Sequence, residues 1–72
     1  MIELRFHRDV YVGECVDQAV KVYGKLGEFE LVEEDNHWLV KLTARNPDKE
    51  RKIAGELGNY ALGLSAKRRG QP

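Results

Sequence analysis

The sequence holds one cysteine, Cys15, so no internal disulfide framework staples the fold. That usage suits a reducing compartment, and a cytoplasmic location is expected. No apolar run approaches the ~18–20 residues that carry a helix across a bilayer. The opening residues, Met1-Ile2-Glu3-Leu4-Arg5, alternate in character and lack the basic-then-apolar order of a secretory signal. Charge of one sign is also missing. Twelve basic residues offset twelve acidic ones, so no global field draws the chain to nucleic acid or an acidic membrane. Repeats, low-complexity tracts and internal linkers are absent. His7 and His37 have no histidine or cysteine at metal-ligand spacing. Gly55-x-x-Gly58 is too weak for a phosphate loop and lies inside a helical pattern. With no nucleophile–base pair and no metal set, an enzyme is the weakest reading, and no cofactor is expected.

What is present is a 72-residue chain, 42% hydrophobic and 33% charged. Residues 1–66 read as one domain and residues 67–72 as a frayed basic tail. A domain this size buries only about 60% of its unfolded surface, so a dimer or a bound partner would help to stabilise it.

Ile2, Leu4 and Phe6 alternate with Glu3, Arg5 and His7, which predicts a strand over residues 2–8. Val10 and Tyr11 are expected to cover one end of the core. Val16, Ala19, Val20 and Tyr23 share one helical face, which predicts a helix over 13–25, ended by Gly24 or Gly27 in the left-handed conformation. Residues 28–34 and 37–44 read as a hairpin around Asp35-Asn36, two residues that tolerate positive φ. That register sets Phe29, Leu31, Trp38, Val40 and Leu42 on the core face, with Glu30 opposite Lys41 and Val32 opposite Leu39 on the other. A slip of one residue would bring Glu30 and Glu34 to the core, so the register is well specified.

Asn46-Pro47-Asp48 predicts a helix start, and Ile53, Leu57, Tyr60, Ala61 and Leu64 form its apolar stripe. Gly55, Gly58 and Gly63 are unusual there, each costing about 1 kcal/mol relative to alanine. A close helix approach or a break near Gly63 would account for them. The element order is β-α-β-β-α. With a right-handed crossover it predicts an α+β two-layer sandwich, with an antiparallel-type three-stranded sheet in order 1-3-2. This is a ferredoxin-like layout without its last strand, and it leaves strand 1 with an unpaired edge for a second copy or an extended peptide.

Each chemically suggestive residue also has a structural explanation. His7 and His37 point to the open sheet face at separate places and read as solvated histidines. Cys15 reads as a small apolar residue at the core edge rather than a nucleophile. Glu28, Glu30, Glu33, Glu34 and Asp35 read as charge that discourages edge pairing rather than as acid–base groups. Trp38 and Tyr60 read as core-rim packing, and Lys67-Arg68-Arg69 as complements to a helix dipole. Val32 and Leu39 are two aliphatics on a polar face and the candidate centre of a docking patch. The candidate interaction residues are therefore Arg5, His7, Val32, His37, Leu39 and Lys41.

Four segments carry a family likeness: Arg5-Phe6-His7-Arg8-Asp9-Val10-Tyr11, Ala19-Val20-Lys21-Val22-Tyr23, Trp38-Leu39-Val40-Lys41-Leu42 and Glu56-Leu57-Gly58-Asn59-Tyr60-Ala61-Leu62. Together, over roughly residues 4–66, they resemble the small HxsD-like proteins of the His-Xaa-Ser system. The resemblance implies a neighbourhood of radical SAM maturases and a repeat-bearing peptide substrate, with the small protein as an accessory factor. It carries no catalytic residue. The expected function is a non-catalytic protein or peptide interaction module, with a radical SAM maturase as one partner and a homodimer through the strand 1 edge as another. The alternative is a small-ligand-binding regulatory domain acting as a homodimer. RNA binding through the basic tail is a third, weaker reading.

Overall fold

The structure is a computed structural model that describes residues 1–70. Its elements are β1 (Ile2–His7), α1 (Gly13–Tyr23), β2 (Gly27–Glu33), β3 (His37–Ala44) and α2 (Glu50–Arg69). Single 3-10 turns, Gly24–Leu26 and Pro47–Lys49, precede β2 and α2. The sheet order is β1-β3-β2, and β3 runs antiparallel to both neighbours. The α+β sandwich of order 1-3-2 expected from the sequence is the observed fold.

The hairpin register is also as read. Phe29 faces Leu42, Leu31 faces Val40, Val32 faces Leu39 and Glu30 faces Lys41. Alternation sends Ile2, Leu4, Phe6, Phe29, Leu31, Trp38, Val40 and Leu42 toward the helices. Two clusters fill the space between the layers. Phe6, Val16, Ala19, Val40, Leu57 and Ala61 form one, and Leu42, Ala44, Ile53 and Ala54 form the other. The apolar stripe of α2 spans both, so this helix ties the two ends of the sheet together.

Several local expectations are corrected. The 35–36 turn contains no residue in the left-handed, positive-φ conformation, and no other described residue adopts it. The Glu34 amide donates to the His37 carbonyl across the turn at 2.9 Å, and the Arg8 amide donates to the Asn36 carbonyl at 3.1 Å, so β1 holds the loop as well. α1 gives way to a 3-10 turn at Gly24, whose φ is −58°. Gly27 is extended, with φ 172°. Its role is close approach, since a Cβ there would lie 2.4 Å from the Thr43 carbonyl oxygen. Val10 is exposed, whereas Tyr11 does cover the core, 4.8 Å from Phe6 between ring centroids.

α2 is unbroken at Gly63 and continues through Lys67, Arg68 and Arg69. The basic segment expected to fray is therefore helical there, and Gln71 and Pro72 lie outside the described residues. Two side chains explain the order. Arg69 donates to the Asp9 carbonyl and, at 3.2 Å, to the Arg8 carbonyl. Arg68 pairs with Glu14 of α1 at 3.0 Å. Asn46 does cap as expected, its Oδ1 accepting from the Asp48 amide at 3.1 Å, but it caps the 3-10 turn that leads into α2.

Candidate interaction surface

The sheet has one face under the helices and one face open. Period two along each strand sends Arg5, His7, Val32, His37, Leu39 and Lys41 to the open face, and the strand register then gathers them. Arg5, Leu39 and Val32 form one cross-strand row, Glu3, Lys41 and Glu30 the next, and His7 lies directly opposite His37. All six residues singled out from the sequence occupy one contiguous block.

Two features of that block differ from expectation. The histidines were expected apart, but their rings meet edge to face with centroids 5.1 Å apart. His7 Nδ1 accepts the Asp9 amide at 3.2 Å, which leaves Nε2 as its protonated nitrogen in the neutral ring. No group of three or more His, Cys, Asp or Glu side chains among the described residues is arranged to hold a metal. The second difference is Leu39, which is only 6% exposed. It sits in register between Arg5 and Val32, and the aliphatic stem of an arginine covers apolar surface while its head stays wet. Val32 remains half-buried, so it and the Arg5 stem, rather than Leu39, form the accessible centre of the row.

The strand edges have opposite characters. The hydrogen bond from Arg8 to Asn36 continues the β1–β3 register, and a narrow pair in an antiparallel ladder recurs at every second residue. The even residues of β1 therefore bond β3, while the amides and carbonyls of Glu3 and Arg5 point away from the sheet. His7 also points its amide outward, but its carbonyl already accepts the Val10 and Tyr11 amides at 3.1 and 2.9 Å. Glu3 and Arg5 are exposed, and Arg5 makes only long ion contacts, 3.8 Å to Glu3 and 3.7 Å to Glu34. The β2 edge is instead lined with glutamates, which repel an incoming strand.

Three residues outside the six candidates fix this surface. Arg8 lies 4.1 Å above the Trp38 ring, donates to the Glu34 carbonyl at 3.0 Å and pairs with Glu33 at 2.7 Å. It ties the end of β1 to the β2–β3 loop. Ser65 is fully buried, and its Oγ accepts the Val12 amide at 2.9 Å, which fixes the residue that precedes α1. Arg69 holds the carbonyls of the loop after β1. Only Ser65 left a signal in the sequence: it is a polar residue four positions beyond Ala61 on the apolar stripe.

A groove of about 560 Å³ runs between α1 and α2, lined by Glu14, Cys15, Lys21, Leu64, Lys67 and Arg68 among others. Cys15 is buried at its base. Both histidines lie on the far side of the sheet, so the thiol has no imidazole beside it. Hydrogen bonding to Glu14, with its nearby charge, raises the Arg68 pKa, and Lys21 pairs with Asp17 at 3.0 Å. Much of the groove's charge is thus satisfied within it.

No family model, curated protein or solved structure matches the chain.

Proposed function

We propose that this protein is a non-catalytic interaction module that receives a protein or peptide at the β1 edge, beside the outward face of the sheet. The observation that carries this reading is the β1 edge itself. Glu3 and Arg5 present unpaired backbone donors and acceptors in an extended, ordered strand, with β3 bonded on the other side only. An added strand would complete the ladder, and Arg5, His7 and the His37–Lys41 row would read its outward side chains. The resemblance to HxsD-like proteins supports a modified-peptide system as the setting, with a radical SAM maturase or its repeat-bearing peptide as the partner and this chain as the accessory.

Amide shifts test the reading. On titrating labelled protein with a peptide carrying His-Xaa-Ser repeats, shifts are expected over residues 2–8 and 30–41. Shifts confined to the α1–α2 groove, or none at about 1 mM peptide, would contradict it.

A further inference from the structure

We infer that the strand added at the β1 edge is β1 of a second copy, so that two chains build one six-stranded sheet about a twofold axis through Leu4. The inference rests on the reading of β1 as a docking edge and goes beyond it by naming the occupant and the register.

The register follows from three constraints. A continuous sheet with all helices on one side requires inward residues opposite inward residues, so Ile2, Leu4 and Phe6 must face their own kind. The outward-pointing amides and carbonyls belong to Glu3 and Arg5, so these two must form the narrow, hydrogen-bonded pairs. Like charges opposite one another are unfavourable. Centring on Arg5 sets arginine against arginine, and centring on Glu3 sets glutamate against glutamate. Centring on Leu4 sets Glu3 against Arg5 of the other copy twice, Ile2 against Phe6 twice, and Leu4 against itself. Only this register meets all three conditions. The same exercise on β2 sets glutamate against glutamate, which leaves β1 as the self-complementary edge.

The helical layer leaves room for this arrangement. Arg51, Gly55, Gly58 and Leu62 follow one another at helical spacing along one side of α2. Gly58 lies over Phe6 of β1, with 3.6 Å between a Cβ built there and the Phe6 ring, so this side borders the β1 edge. A Cβ at Gly55 would meet nothing within 4 Å, and Leu62 is 40% exposed. Two glycines and an exposed leucine are costly on a solvent-facing helix flank, but they suit a flank that a second α2 approaches across the axis.

Charge reversal tests the register at two exposed side chains, Glu3 and Arg5. Sedimentation equilibrium of the full chain is expected to show a reversible dimer below about 1 mM. Glu3→Arg and Arg5→Glu, each alone, set like charges opposite each other twice and are expected to weaken the dimer by about tenfold or more. An equimolar mixture of the two variants restores both pairs across a heterodimer, and the double variant E3R/R5E restores them within a homodimer. Both should associate like the wild type.

Circular dichroism of each variant checks that the fold is retained. A wild-type chain that stays monomeric throughout the range overturns the inference. So do single variants that dimerise unimpaired, or a mixture that stays monomeric. If the chain is monomeric but the repeat peptide still shifts β1 amides, the second-copy inference fails and the docking edge stands. If a register-dependent dimer forms and the peptide shifts nothing, the inference holds and the peptide reading fails.

Discussion

Ser65 is fully buried and accepts the amide of the partly buried Val12, so removing its hydroxyl leaves that donor without this partner. Ser65→Ala is expected to lower stability by about 1–3 kcal/mol, read as a lower urea midpoint at unchanged slope. An unchanged midpoint would show that the α1 start does not depend on this bond. Glu50 works at the other end of the core. Its Oε2 accepts the Ala44 amide at 3.0 Å, and its Oε1 lies 3.1 Å from the Met1 amine. These two partners, the amide first, hold its pKa below the ordinary 4.5. A lowered folded-state value means that the carboxylate contributes its full stabilisation above the ordinary value and loses it as pH falls through the lowered one. Glu50→Gln is therefore expected to flatten the acid limb of a stability–pH curve below about pH 4.5 while retaining the fold. Identical acid limbs for the two proteins would contradict the assignment.

α2 carries three glycines over twenty helical residues and still runs without a break. Packing of its apolar stripe against both core clusters, rather than intrinsic propensity, holds it helical. At Gly63 a Cβ would meet nothing within 4 Å, so Gly63→Ala is expected to raise stability by about 1 kcal/mol. A loss of stability would mean that this position departs from an open helical geometry. The hairpin shows where sequence suffices. Its register was legible because a one-residue slip would bury Glu30 and Glu34. Its turn was not, because the Asn36 carbonyl is held by Arg8, 28 residues earlier in the chain. The His7–His37 contact was hidden for the same reason: it depends on how β1 docks on β3, and no local turn sets that register. The six candidate residues share a face through simple alternation, so their grouping could be read from the sequence. The burial of Leu39 could not, since one of its two register neighbours, Arg5, comes from a strand whose pairing no local turn sets.

At the scale of the whole molecule, a three-stranded sheet with two helices on one face leaves one face and two strand edges uncovered. The β2 edge is defended by glutamates, and Arg8, Ser65 and Arg69 all anchor the segment that follows β1. The chain thus orders the end of its exposed strand with long-range contacts while leaving the backbone of Glu3 and Arg5 unpaired. Amide hydrogen exchange of β1 tests that claim most directly. In dilute protein the Leu4 and Phe6 amides, bonded to β3, are expected to exchange slowly and the Glu3 and Arg5 amides quickly. Concentrating the protein or adding its partner should slow the outward-pointing amides of β1, those of Glu3 and Arg5 foremost. Protection of Glu3 and Arg5 already present in the dilute monomer, or unchanged in the associated state, would contradict the account.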